Sequence, residues 1–92
     1  MELIAKGRAG TLESGDVFVT VQPSDRLTIN LESPVKDAYG PAILEAVDQV
    51  LNELGIQKGI IDLADQGALD CTIRARLATA LQRASEDGGG DE

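Results

Sequence analysis

The sequence predicts an α+β fold, a two-layer arrangement in which a mixed sheet of about four strands carries two helices on one face. Two observations predict it. Apolar residues alternate with other residues in two early segments, whereas they recur three and four residues apart in two later segments. Each pattern leaves one apolar face per element, and packing both helices against one face of a sheet buries all of these faces. An all-helical structure would contradict this prediction.

Three strands are predicted in the first third of the chain. Residues 17–22 and 27–32 both alternate with a period of two, which indicates two half-buried strands. The connection between them is expected to be a hairpin turn at residues 25–26. The glycine-rich segment 7–12 has no clear periodicity, but a strand there would complete a three-stranded meander.

The periodicity changes to that of an amphipathic helix over residues 35–54. Gly55 is expected to end this helix as its C-cap. Ser33 and Pro34 have the character of an N-cap and a first helical residue, whereas Pro41 interrupts the apolar stripe. We therefore expect a kink, or a short first turn followed by a main helix that begins at Pro41.

A fourth strand and a second helix complete the predicted elements. Residues 59–64 form a short apolar run, and a helix connects them to the third strand, so these two strands should be parallel through a right-handed crossover. Residues 69–84 predict a helix with Asp65 as N-cap and an Asp70–Arg74 surface pair. The predicted core consists of the inward-facing residues Val19, Val21, Ile29, Leu31, Ile43, Val47, Leu51, Ile61, Leu63, Leu69, Ile73 and Leu77.

Composition limits both the domain organisation and the classes of partner. We expect one domain over residues 1–85 and a flexible acidic tail over residues 86–92. Sixteen acidic residues against eight basic ones give a net charge of −8, which disfavours nucleic acid and anionic membranes as partners. No window approaches a membrane span, the apolar run of residues 1–6 is short for a signal peptide, and the one cysteine fits a reducing compartment, so we expect a cytoplasmic protein.

The sequence contains no residue set for self-contained catalysis or metal binding. It has no histidine, which removes the usual general base and the commonest metal ligand. The carboxylate pairs Glu13–Asp16 and Asp62–Asp65 lack the spacing of a calcium loop. We therefore predict no catalytic residue and no metal ligand, and we expect Cys71 to be a buried, unreactive thiol on an apolar helix face.

The segment with the clearest chemical character is residues 10–17, GTLESGDV, which places one serine at the tip of a predicted hairpin between two acidic residues. Gly15 is expected to have a positive φ, and Asp16 to accept hydrogen bonds from loop amides. Turn chemistry alone explains a serine beside a glycine. A second segment, DQGALDCTIRARL at residues 65–77, has two arginines that either meet a phosphate or remain solvated.

Together, the AGTLESGDV and DQGALDCTIRARL segments resemble the citrate lyase acyl carrier protein (gamma chain) family, over about residues 9–84. The resemblance implies that Ser14, in a loop with Glu13, Gly15 and Asp16, covalently bears 2′-(5″-phosphoribosyl)-3′-dephospho-coenzyme A through a phosphodiester. The thiol of this group would carry acetyl and citryl between the alpha (transferase) and beta (lyase) subunits of citrate lyase. A prosthetic-group transferase would load Ser14, and the chain itself would be a non-catalytic carrier.

Two alternatives stay open at this point. The acyl carrier subunit of malonate decarboxylase uses the same prosthetic group, although the GALDC and RARL segments favour citrate lyase. The second alternative is an unmodified small acidic adaptor in which Ser14 only shapes the turn. The ordinary phosphopantetheine carriers, which are helical bundles, are disfavoured by the strand-rich first third of the chain.

Overall fold

Four strands and two helices form the fold in the computed structural model, which describes residues 1–85. In chain order they are β1 (Gly7–Ala9), β2 (Val17–Gln22), β3 (Leu27–Glu32), α1 (Lys36–Leu54), β4 (Gly59–Asp65) and α2 (Asp70–Ser85). The four-stranded mixed sheet with two helices confirms the predicted α+β class. The expected tail, residues 86–92, lies outside the described residues.

The sheet has the strand order β1-β2-β4-β3. The prediction that β3 and β4 are parallel is confirmed, and the two strands are also neighbours in the sheet, whereas the predicted meander and the hairpin at residues 25–26 are wrong. β4 pairs antiparallel with β2 and so occupies the edge of β2 that β3 would have taken. The burial of the two strands explains why β4, rather than β3, lies next to β2. β4 alternates buried and half-buried residues along its whole length, whereas most residues of β3 are exposed and suit an outer edge of the sheet.

α1 is a continuous helix that runs through Pro41, so the expected short first turn with a separate main helix is wrong. Pro41 and Asp37 are both exposed, and water can therefore satisfy the Asp37 carbonyl that loses its helical donor. The N-cap position is Val35 rather than Ser33. The C-cap prediction is confirmed: Gly55 has φ 70°, and its amide donates to the Asn52 carbonyl.

Both helices pack against one face of the sheet, α2 against β1 and β2, and α1 against α2 and β3. The predicted core is confirmed except at Ile29, which is half-buried, and Leu69, which is 71% exposed. Cys71 is exposed, so the prediction that it is buried is wrong. Ile73 and Leu77 lie on the buried face of α2, and Cys71, two residues before Ile73, lies on another side of the helix. Burial also extends to residues that the prediction omitted: Leu3, Ala9, Val17, Ala46, Val50, Ile56, Ala80, Leu81 and Ala84.

The register of the sheet places the loop that contains Ser14 beside the connection from β4 to α2. Val17, the first residue of β2, pairs with Asp65, the last residue of β4. The residues that precede Val17 and those that follow Asp65 therefore leave the sheet at the same end. Neither helix of the described part of the chain is long and apolar enough to cross a membrane.

Candidate functional site

The connection between β1 and β2, residues 10–16, is called the serine loop below. Ser14 is exposed, and its hydroxyl makes no hydrogen bond with the described residues. Gly15 has φ 84°, as predicted, and a Cβ added there would meet no atom within 4 Å. The hydroxyl of Ser14 is therefore open to a reagent or an enzyme that approaches from solvent.

Asp16 organises the serine loop through both of its carboxylate oxygens. Its Oδ2 accepts hydrogen bonds from the Thr11 amide at 3.1 Å and the Thr11 hydroxyl at 2.8 Å. Its Oδ1 accepts one from the Val17 amide at 2.8 Å. The predicted turn-stabilising role of Asp16 is confirmed. Glu13 contributes through its backbone instead, since its carbonyl accepts a hydrogen bond from the Asp16 amide at 3.0 Å.

Arg76 of α2 binds the carboxylate of Asp16 in a bidentate contact. Its Nε donates to Asp16 Oδ1 at 3.0 Å, and its Nη2 donates to Asp16 Oδ2 at 3.1 Å. The hydrogen bond from Arg76, followed by those from Val17 and Thr11, lowers the pKa of Asp16 from 3.8 to about 2. The sequence suggested either phosphate binding or solvation for this arginine. In the structure its partner is Asp16, 60 positions away in sequence. The spacing of neighbouring residues in the sequence does not indicate such a distant contact.

Gln66, in the connection from β4 to α2, fixes the backbone of the serine loop. The Gly15 amide donates to the Gln66 carbonyl at 2.7 Å, and the Gln66 amide donates to the Asp16 carbonyl at 2.8 Å. Sequence reasoning missed Gln66 because the contact uses only its main chain. Bond lengths along this path place the Ser14 Cα within about 8 Å of the Gly67 amide nitrogen.

Asp65 holds the adjoining connections together instead of acting as the predicted N-cap of α2. Its side chain is buried, with Oδ2 accepting from the Ser33 hydroxyl at 2.7 Å and Oδ1 from the Ala68 amide at 2.9 Å. The carboxylate thus ties the β3–α1 turn to the β4–α2 connection. The N-cap position of α2 is held by Leu69, whose carbonyl accepts the hydrogen bonds of the Thr72 and Ile73 amides.

The Asp70–Arg74 surface pair is confirmed, with Arg74 Nε 2.6 Å from Asp70 Oδ2. Arg74 also donates through Nη2 to the side-chain oxygen of Gln49 at 2.6 Å, which joins the surfaces of α1 and α2. Nε and Nη2 of Arg74 therefore bind side chains of the two helices rather than the serine loop. The two arginines of the second motif therefore differ in position, because only Arg76 contacts the serine loop.

The site presents a hydroxyl without activating it. No base contacts the Ser14 hydroxyl within residues 1–85, and no group of histidine, cysteine, aspartate or glutamate side chains suited to a metal ion occurs in that range. Nucleophilic chemistry at a serine requires a positioned base or an equivalent. Within residues 1–85, Ser14 therefore lacks a contact with the base that nucleophilic chemistry requires.

Comparisons with known proteins show what this chain is similar to. A family model described as malonate decarboxylase delta subunit (MdcD) matches residues 4–84. A protein from Streptococcus mutans is 42% identical over 88 residues, covering 94% of this chain and 86% of the relative, and one from Albidiferax ferrireducens is 45% identical over 89 residues, covering 95% and 91%. Both of these relatives are named citrate lyase acyl carrier protein.

A solved structure supports the fold. A chain of a Pseudomonas malonate decarboxylase hetero-tetramer, crystallised with malonate, superposes with a TM-score of 0.75 at 21% sequence identity. The match covers 85% of the present chain and 81% of the Pseudomonas chain. The likeness concerns the arrangement of strands and helices, whereas the relationship in sequence rests on the relatives named above.

Proposed function

This chain belongs to the citrate lyase acyl carrier protein family, and we propose that Ser14 is the residue on which it carries acyl groups. The observation that carries the proposal is an exposed serine hydroxyl, free of hydrogen bonds with the described residues, at the tip of the serine loop. Gln66 binds the backbone of this loop, and Arg76 binds the carboxylate of its Asp16. Because no base contacts this hydroxyl within residues 1–85, we propose that Ser14 is a passive acceptor.

The group that we propose for Ser14 is 2′-(5″-phosphoribosyl)-3′-dephospho-coenzyme A, attached through a phosphodiester, whose terminal thiol supplies thioester chemistry for acetyl and citryl groups. The residues around Ser14 fit such an attachment. The space beside Gly15 is open, and Arg76 keeps its Nη1 free of hydrogen bonds within residues 1–85. Arg76 also offsets the charge of Asp16, which would otherwise repel a phosphodiester anion two residues away.

A carrier of this kind holds its acyl group near more than one active site at once. A long arm raises the effective concentration of the thioester at each site without diffusion of a free intermediate. We propose that the sites belong to the alpha and beta subunits of citrate lyase, and that the chain contributes a fixed attachment point. A rigid serine loop suits this role because the arm, rather than the protein, supplies the reach.

A carrier role in malonate decarboxylase is the second candidate, since the matching family model has that description. The relatives at 42–45% identity that are named citrate lyase acyl carrier protein favour the first candidate. Reconstitution separates the two. The loaded chain should restore citrate cleavage to alpha and beta citrate lyase subunits, and restoration of malonate decarboxylation alone would favour the second candidate.

The attachment site is tested by changing Ser14 to alanine. Ser14→Ala deletes one exposed hydroxyl, so the fold should remain intact while attachment is lost completely. The control is Ser24→Ala, which removes the serine of the β2–β3 connection. Each variant is incubated with the prosthetic-group transferase and its activated precursor, and intact-mass spectra record the product.

We expect the wild type and Ser24→Ala to gain the mass of the prosthetic group, whereas Ser14→Ala gains nothing. Modification of Ser14→Ala at another residue would contradict the proposed attachment site. A wild-type chain that stays unmodified, under conditions that modify an established citrate lyase carrier, would contradict the proposed function.

A further inference from the structure

An apolar groove opens next to the serine loop. Its exposed apolar side chains are Leu69, 71% exposed, Tyr39, 59% exposed, and Val35, 37% exposed. Gly67 also lines the groove, and Ser14 Cα lies within about 8 Å of the Gly67 amide nitrogen. Leu69, the most exposed of these side chains, is thus three residues from Gln66, which holds the serine loop.

Leu69 is unfavourable for stability in two ways at this position. An exposed leucine keeps apolar surface in water. Leu69 also occupies the N-cap of α2, where serine or aspartate would accept a hydrogen bond from a free helical amide and leucine cannot. A single exposed leucine is ordinary on a protein surface. Here an N-cap leucine shares one groove with two other exposed apolar residues.

We propose that this groove is the docking site of the transferase that loads Ser14, an inference that rests on the proposed function. In the loading step, Ser14 Oγ forms a bond to a phosphorus atom of a phosphoanhydride precursor. The bond from that phosphorus to its phosphate leaving group breaks, and the hydroxyl proton passes to a base of the transferase. The reacting atoms must lie about 3–3.5 Å apart, so the transferase has to contact the surface around Ser14.

The other proposed partners have a weaker requirement for this surface. Acyl exchange and citryl cleavage take place at the thiol, at the far end of the arm, and a long arm lets this end react away from the carrier surface. The surface within a few residues of Ser14 is therefore assigned to the enzyme that builds the linkage, rather than to the enzymes that use the arm.

Charge around the groove further defines the partner. Asp37 lies in the first turn of α1 near Tyr39, and Glu13 precedes the serine, and both residues are exposed. Asp70 also lines the groove, but its carboxylate is paired with Arg74. The whole chain has a net charge of −8. The matching surface of the transferase should thus have an apolar centre that receives Leu69 and a basic rim.

The decisive variant is Leu69→Ser, which removes the apolar contact and introduces a favourable N-cap. The melting temperature should rise, by about 4–8 °C if the cap has its usual strength. The kcat/KM of loading, followed by intact mass at limiting carrier concentration, should fall about tenfold or more, through KM. A variant that is more stable but loads poorly cannot be explained by damage to the fold.

Two controls and one further variant accompany it. Leu44→Ser changes another exposed leucine, on α1 but outside the groove, and should load like the wild type. Leu69→Met keeps an apolar side chain and should retain loading within about twofold, as volume-conserving exchanges do. Tyr39→Ser, in the same groove, should impair loading in the same direction as Leu69→Ser.

The outcomes separate this inference from the proposed function. Normal loading of Leu69→Ser and Tyr39→Ser, with a loaded wild type, would overturn the groove assignment and leave the function of Ser14 standing. Normal loading followed by failed acyl exchange would assign the groove to the subunits that use the arm, and would also overturn the inference. A wild type that is never loaded removes the premise of both proposals.

Discussion

The serine loop and the connection from β2 to β3 have similar local sequences but different structural support. Both contain a serine and an aspartate in a short turn-forming segment. The serine loop is held by Gln66 and Arg76, which are distant in sequence. In the β2–β3 connection, the Arg26 carbonyl accepts a hydrogen bond from the Gly59 amide at 3.0 Å, and within the turn the Arg26 amide contacts the Ser24 hydroxyl at 3.5 Å.

The two connections also join strands in different ways. β1 and β2 pair with each other on either side of the serine loop, whereas β4 lies between β2 and β3. Turn residues indicate where a chain reverses or leaves a strand, but they do not say which strand becomes its neighbour. The comparison teaches that contacts from Gln66 and Arg76 hold the loop around Ser14 in addition to the local hydrogen bonds of its turn sequence.

The largest expected effect comes from breaking the serine loop at Gly10. A Cβ at Gly10 would clash with the Val17 carbonyl oxygen and press on Arg76 Cδ at 3.3 Å, at φ 89°. Gly10→Ala should lower the free energy of unfolding by about 3 kcal/mol or more. Gly15→Ala has a similar φ but open space, and should cost only about 1–2 kcal/mol.

Urea denaturation of both variants measures this difference. In the other connection, Pro23→Ala is the comparison, since Pro23 is exposed and its loss should cost about 0.4–1 kcal/mol through the unfolded state. Equal costs at Gly10 and Gly15 would show that the enclosed packing of Gly10 has no energetic importance.

A smaller effect is expected from removing the ion pair. Arg76→Gln breaks the bidentate contact with Asp16 and lets the serine loop move. Loading of Ser14 should then slow by up to about 100-fold, which is the effect of misplacing a reacting group by about 1 Å. Arg26→Gln, in the other connection, should load normally. Intact-mass time courses supply the rates.

A double-variant cycle completes this test. Asp16→Asn should slow loading to a similar extent, and Asp16→Asn with Arg76→Gln should be little worse than either single change, because the two residues act through one contact. Strictly additive effects would mean that Arg76 acts on loading independently of Asp16.

The smallest effect is a dependence of stability on pH. The folded pKa of Asp16 is about 2, below its ordinary value of 3.8, so the ionised form is favoured by folding. The stabilisation from this group is present well above pH 3.8 and is lost as the pH falls from about 4 to about 2. The difference in melting temperature between wild type and Asp16→Asn should therefore shrink over this interval.

Arg76→Gln is the control for the pH experiment. The hydrogen bond from Arg76 is the largest cause of the lowered pKa of Asp16, so its loss should flatten the same part of the profile. A difference between wild type and Asp16→Asn that stays constant from about pH 4 to about pH 2 would contradict the contact.

Most elements of the fold were predictable, because the signals are local. The alternation in β2 and β3, the helical spacing of α1 and the Gly55 C-cap all concern residues that are close in sequence. Leu69 shows the limit of such patterns: it fits the spacing of the α2 stripe, yet it lies one residue before the helix and is exposed. A periodic pattern gives no exact boundary, and a side chain just outside the helix loses the direction that periodicity assigns to it.

The sequence by itself determined the α+β class, the parallel orientation of β3 and β4, the glycine conformation in the serine loop and the turn-stabilising role of Asp16. Only the tertiary structure decided that β4 separates β2 from β3, that Arg76 and Gln66 hold the serine loop, and that Leu69 borders a groove beside it. The reason is physical: periodicity and turn chemistry act between neighbours along the chain, whereas these contacts depend on how the elements pack. Packing brings together residues such as Asp16 and Arg76, which are 60 positions apart.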